Sequence, residues 1–332
     1  MSVAQDPGLR QAIEAVTALP PGWTPVSEHT ARGLWRLPRA ADAVAHVLRD
    51  GGPGGRDRGW TMVRARVTEE AASGRDWTRE AAGWLARGGA DWQESARVTG
   101  DLAWRSRAQG HSALVFLTDT HVAAADPGEP YGRALWHCFL TTLRYDFRCT
   151  AIEEFFALTG YAGTAASGGP APAGPADAAG PADGADGAGQ TDTAGLDPYS
   201  TAMRAFALLG RSRTTGLALL AEVVARAGHD EKVVHALLHG LWLGEDLPDQ
   251  PRRMLDLLRA PAFADGPGAE ALFRKASALR RLRRFDEALA AVQCAIDGLD
   301  PREVVVHADC VRERSLILAE RDLRPDTPHP RT

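Results

Sequence analysis

The spacing of apolar residues changes character near the middle of the chain. From residue 199 onward it is helical throughout. Leu272, Ala276 and Leu279 fall on one face, and after a short break Phe285, Ala288, Val292 and Ala295 continue an apolar stripe. The same period predicts helices over 199–210, 214–228, 231–243, 250–260 and 303–321. In the first half, helical patterns at 8–18, 40–49, 76–87 and 150–159 surround a different texture. Val63, Ala65 and Val67 alternate with Arg64 and Arg66, which predicts a strand over 60–68. Short strands are expected at 92–98, 102–108 and 112–118, separated by TGD and QGH, and the largely apolar 133–148 reads as a long strand or bent hairpin. The first half is therefore expected to be α+β, an antiparallel sheet with flanking helices.

Between the two textures lies TAASGGPAPAGPADAAGPADGADGAGQTDTAGLD, residues 164–197. It has no aromatic residue and one large aliphatic, Leu196, so it cannot bury enough surface to offset chain entropy. The expected organisation is an α+β domain over 1–163, a disordered Ala/Gly/Pro/Asp linker over 164–197, and an all-α segment over 198–324.

The stretch AEALFRKASALRRLRRFDEALAAVQCAIDGLDP, 269–301, resembles a tetratricopeptide repeat, a helix–turn–helix unit of about 34 residues. Leu272 and Leu279 take its large apolar positions, Ala276 and Ala288 the small ones, and Phe285 the aromatic after the turn. Val292, Ala295 and Pro301 complete the set. Arg283 stands where the family has Gly, and one extra residue, read as Gly298, delays the Pro. Hairpins beginning near 199, 231 and 269 suggest two degenerate predecessors, with 303–321 as a capping helix. The resemblance implies a solenoid whose first helix in each pair lines a partner-binding face. That nominates Phe273, Ser277 and Arg280, with His235 and His239 on the preceding unit.

Charge narrows the partners. Residues 1–163 carry 18 Arg against 19 acids, 164–197 carry five Asp and no base, and 198–332 carry 20 basic against 19 acidic groups. Neither flanking segment has the basic excess of a nucleic-acid binder. No apolar run approaches the roughly 20 residues of a membrane span. The start lacks the pattern of a signal peptide, and Cys138, Cys149, Cys294 and Cys310 show no paired spacing, so a cytoplasmic protein with reduced thiols is expected.

Candidate chemistry is sparse. His235 and His239 share a helix face, but no Glu follows His235 and no further ligands complete a zinc set. GGPGGRDRG at 51–59 lacks the Lys-Ser/Thr ending of a phosphate loop and reads as a mobile hairpin or loop. GHSAL at 110–114 lacks the second Gly of a nucleophile elbow. Asp119, His121, Asp126 and Glu129 offer acid–base groups beside a strand without a nucleophile or cofactor fingerprint. Arg64, Arg66, Arg105 and Arg107 would share one sheet face, either solvated or facing an anion. Arg280, Arg281, Arg283 and Arg284 crowd a helix end, where they complement its dipole and leave an acidic peptide contact open. No catalytic, cofactor-binding or metal-ligating residue is assigned. The expectation is a non-enzymatic interaction or scaffold protein that binds a protein or acidic peptide, not nucleic acid or membrane. The alternative is an enzyme or small-ligand domain in the first half, with the solenoid recruiting its partner or substrate.

Overall fold

The computed structural model describes residues 6–73, 77–108, 122–161, 195–210, 212–244, 246–299 and 304–323. Among these residues it is built from fifteen α-helices and a short 3-10 turn at Pro261–Phe263, with no strand. The first eight are α1 (Pro7–Thr17), α2 (Pro25–Leu34), α3 (Ala40–Asp50), α4 (Gly52–Ala72), α5 (Trp77–Arg87), α6 (Trp92–Ala108), α7 (Pro130–Tyr145) and α8 (Cys149–Leu158). After the stretch 162–194 come α9 (Pro198–Leu209), α10 (Arg213–Ala227), α11 (Glu231–Leu243), α12 (Gln250–Leu257), α13 (Ala269–Arg281), α14 (Phe285–Asp297) and α15 (Val304–Asp322). Residues 164–194 of the linker expected at 164–197 lie outside the described residues, as do the strand at 112–118 and the GHSAL stretch.

The antiparallel sheet expected in the first half is absent, and the reason is burial. The supposed strand at 60–68 lies inside α4, which packs against α1, α2, α3, α5 and α6. A helix enclosed on all sides needs no polar face, so Trp60 through Ala65 are buried in succession and the 3.6-residue period disappears. The supposed strands at 92–98 and 102–108 form one continuous helix, α6. Its TGD does not turn the chain, because Thr99 Oγ1 donates to the carbonyl of Ser95 at 2.8 Å and stays helical. The apolar 133–148 is mostly α7, which packs against α5, α6, α8 and α9 and is buried along nearly its whole length. GGPGGRDRG also proves helical: Gly52 at φ 63° breaks α3 from α4, and Pro53 sits in the first turn.

The segment after 194 is a series of helical pairs. α9 packs on α10, α11 on α12, and α13 on α14. The first helices also touch one another in chain order: α9 meets α11, α11 meets α13, and α13 meets α15. At the turn between α13 and α14, Arg283 adopts φ 58°, with Arg283 N donating to Arg280 O at 2.8 Å and Arg284 N to Leu279 O at 2.9 Å. That is a left-handed helix stop, the conformation for which Gly is the usual residue.

One hydrophobic core runs from Leu9 to Ala278 and so includes both sides of 162–194. A second, smaller core joins Phe273, Ala276, Phe285, Ala288 and Val292 to Val306, Cys310 and Ile317 of α15. α9 packs against α6, α7 and α8, and α11 against α6, so the early helices sit on the first two helical pairs.

Candidate functional site at the seam

The seam between the two segments is where charge collects. It begins at Asp197, the N-cap of α9, whose Oδ1 accepts from the backbone N–H of Tyr199 at 2.9 Å and Ser200 at 3.0 Å. Its Oδ2 lies 3.1 Å from Nε2 of His137 on α7, a residue with no solvent exposure. Burial pushes the Asp197 carboxyl up, but His137 and the Ser200 donors outweigh it and hold the pKa at about 2. Alongside, the hydroxyls of Thr141 and Tyr199 are 2.6 Å apart. Leu196, expected to be solvated in the linker, is buried here.

Further along the seam, Asp101 of α6 receives Lys232 Nζ at 2.8 Å from α11 and Arg64 Nη2 at 3.2 Å from α4. Burial favours the neutral acid, and the two cations reverse that, so the Asp101 pKa is lowered. Burial also works against the Lys232 ammonium, but Asp101 raises its pKa well above the usual lysine value. Lys232 is therefore a fixed cation and no nucleophilic amine at neutral pH.

The third element is the start of α13. Glu270 is held by Arg274 Nη2 at 2.5 Å, and its carboxyl lies well below the usual range: burial opposes this, and Arg274, His235 and Arg144 outweigh it. The cap residue Gly268 has no side chain to satisfy the first N–H groups. Tyr145 of α7 completes the cluster, its phenol pushed up to about 12 chiefly by burial.

Two cavities flank Lys232. An inner one of about 180 Å³ is bounded by Asp101, Tyr145, His235, the Gly268–Glu270 turn and Val306. An outer groove of about 500 Å³ is bounded by Arg56, Glu94, Arg97, His229 and the start of α11. In the groove wall Arg56 and Trp60 both donate to the Glu94 carboxylate, which fixes α4 to α6.

The residues nominated from the sequence are packed rather than displayed. Phe273 stands edge-on to Trp242 at 5.5 Å, and Ser277 Oγ accepts from Trp242 Nε1 at 3.2 Å. Arg280 donates to Glu313 at 2.6 Å and also to Glu320, both on α15. The acidic contact expected of Arg280 is thus made within the chain. His239 is 2 % exposed, with ring contacts to Phe206 and to Phe147 at the end of α7. His235, 8 % exposed, packs on Phe263 and borders the inner cavity. Of the set, the seam brings together only the two histidines.

The four arginines expected on one sheet face lose that arrangement with the sheet. Arg64 is buried on Asp101, Arg66 pairs with Glu70 at 2.9 Å, and Arg105 and Arg107 fall in α6. Asp119 and His121 lie outside the described residues. Asp126 caps the N–H of Gly128 at 2.8 Å, and Glu129 precedes α7 as its N-cap. No group of three or more His, Cys, Asp or Glu side chains among the described residues is placed to hold a metal. No described helix is long and apolar enough to cross a membrane.

Sequence reasoning missed Asp101, Arg144, Tyr145, Lys232 and Glu270. One signal was present: Lys232 and Lys275 are the only lysines in a chain whose other basic residues are arginines. No protein-family model, no curated protein and no solved structure matches the chain.

Proposed function

We propose that the protein is a non-catalytic interaction scaffold: a short stack of tetratricopeptide-like helical pairs whose first-helix face receives helices of another protein segment. The observation that carries this reading is the succession of contacts α9–α11, α11–α13 and α13–α15, with intervening helices packed behind them. Stacks of this kind present a continuous face made of the first helix of each pair. The first two pairs use that face to hold α6, α7 and α8 of the same chain, through Asp101–Lys232, Thr141–Tyr199 and Phe147–His239. The partner class is a protein or acidic peptide. Side-chain pairs of opposite charge set the register of docking, while burial of aromatic rings such as Tyr199, which is 1 % exposed, supplies the adhesion.

Co-expression of 1–163 and 195–332 as separate chains, with an affinity tag on one, tests this. The reading expects the untagged segment to co-purify in a one-to-one ratio, and Tyr199→Ala to weaken recovery by removing a buried ring and its hydroxyl contact to Thr141. Two soluble segments that do not associate would refute it.

A further inference from the structure

We propose that the outer face of α15 is a docking surface for a helix of another protein, an amphipathic helix with acidic residues along its edges. This surface is separate from the one that holds α6, α7 and α8. It rests on the scaffold reading for its partner class alone, and gives a partner outside the chain a place to dock.

α15 stands where the first helix of a fourth pair would stand. Its extensive packing among the described residues is with α13 and α14, as α13 packs on α11 and α12. The side turned to them carries Val306, Cys310 and Ile317, with Glu313 receiving Arg280. Successive residues of a helix turn by about 100°, which places Ala308, Val311, Ser315, Leu318 and Ala319 on the opposite side. Val311 is 44 % exposed, Leu316 at the edge of this stripe 39 %, and Leu323 just beyond the helix 79 %. No other described helix exposes more than one large apolar side chain. The end of a helical stack is ordinarily closed by a polar face. An apolar one marks a surface that receives something.

The spacing on this face identifies the occupant as a helix. α13 enters the core it shares with α14 through Leu272, Ala276 and Leu279, a small residue with a large one four places before it and another three places after. Val311, Ser315 and Leu318 repeat that spacing. Ala308 and Ala319 extend the shallow row, so a helix can approach closely, as α14 approaches α13 through Ala288. So shallow a face has few large side chains to bury in a lipid interface. Charge sets the rest. Arg312 and Arg314 project on either side of the stripe, both exposed and with no described carboxylate paired to them. The acids of α15 are placed elsewhere: Glu313 and Glu320 hold Arg280, Asp322 pairs with Arg321, and Asp309 lies a turn before Arg312. A second copy of the chain is a poor occupant, because a two-fold axis near Ser315 brings Arg312 and Arg314 of each copy towards their counterparts. Acidic residues on both edges of an apolar helix answer the two guanidinium groups.

Fluorescence anisotropy of the intact chain with two labelled model helices tests the surface. Both carry a stripe of Leu and Ala; one has Glu along its edges and the other Lys. Saturable one-to-one binding of the Glu helix is expected, at least about tenfold tighter than that of the Lys helix. Ser315→Leu fills the shallow row and should weaken the Glu helix by a similar factor, and Arg312→Glu with Arg314→Glu should reverse the preference. All three positions are exposed, so the melting temperature should stay unchanged in both variants. No saturable binding of the Glu helix overturns the assignment, and so does affinity unchanged in Ser315→Leu. Dimerisation in sedimentation velocity that Ser315→Leu abolishes, or binding to phosphatidylserine vesicles that Val311→Glu abolishes, would give the face a different occupant and overturn it too. These outcomes are independent of whether 1–163 co-purifies with 195–332, which concerns the covered face.

Discussion

Gly216, in the first turn of α10, offers a sharp test of how closely the helical pairs are joined. A Cβ built there would lie 2.7 Å from Leu209 N and 2.9 Å from both Leu208 C and Leu209 Cα, all main-chain atoms of the α9 terminus. Main chain cannot rotate aside as a side chain does, so either the α9–α10 crossing widens or the methyl group stays compressed. Overpacking of this kind costs about 1–3 kcal/mol, and three main-chain contacts under 3 Å place it in the upper half of that range. Alanine for glycine in a helix otherwise gains about 1 kcal/mol. Gly216→Ala should therefore lose about 1–2 kcal/mol net. Gly83, inside α5, has nothing within 4 Å of the point a Cβ would occupy, so Gly83→Ala should gain about 1 kcal/mol. Urea denaturation followed by circular dichroism measures both. At a slope of about 3 kcal/mol per molar, the two midpoints should move in opposite directions by a few tenths of a molar. If Gly216→Ala stabilises as much as Gly83→Ala, the helices do not approach as described and the packing argument fails.

Other outcomes follow from single residues. Arg283→Gly should stabilise the chain by about 0.5–1 kcal/mol, since glycine relieves the left-handed φ of 58°, and an unchanged melting temperature would count against that turn. Asp197, with its pKa lowered to about 2, contributes stability that is complete above its unfolded value near 4 and is lost as pH falls towards 2. Asp197→Asn should accordingly cost about 2 kcal/mol at pH 6, with the gap closing in acid urea titrations; a gap independent of pH would contradict the His137 pairing. Mass-spectrometric mapping after alkylation at pH 8 should find exposed Cys294 modified first. Cys310, buried and with its thiol pushed up to about 11, should react only on unfolding.

What was legible in the sequence was the one-sided helices. Those expected at 8–18, 40–49, 76–87, 150–159 and through 199–321 coincide with helices of the structure; most have a polar face that displays the 3.6-residue period, while α9 and α11 are buried along nearly their whole length. The stretches whose pattern reads as strand are the helices at the centre of the packing. Val63, Ala65 and Val67 alternate with arginines by chance of composition, for Arg64 is itself buried, its charge met by Asp101 at a distance of 37 residues in sequence. The seam was hidden for a related reason. Asp101 and Lys232 are separated by 131 residues, and nothing in either local pattern announces the other. His235 and His239 read as a displayed pair because they share a face, yet that face is the one covered by Phe147 and Phe263. Periodicity identifies the face correctly as special and cannot tell which segment will occupy it.

The claim on which the rest depends is that the early helices dock on the later helical pairs through Asp101 and Lys232. A double-mutant cycle measures that contact directly, comparing the unfolding free energies of Asp101→Asn, Lys232→Met, the double variant and the parent chain. Each side chain keeps near 30 % of its exposure, so the coupling should fall below that of a fully buried pair. A coupling energy of about 1 kcal/mol or more is predicted. Additive effects, with a coupling inside about 0.3 kcal/mol of zero, would mean that the two residues do not meet and that the seam is not the interface described.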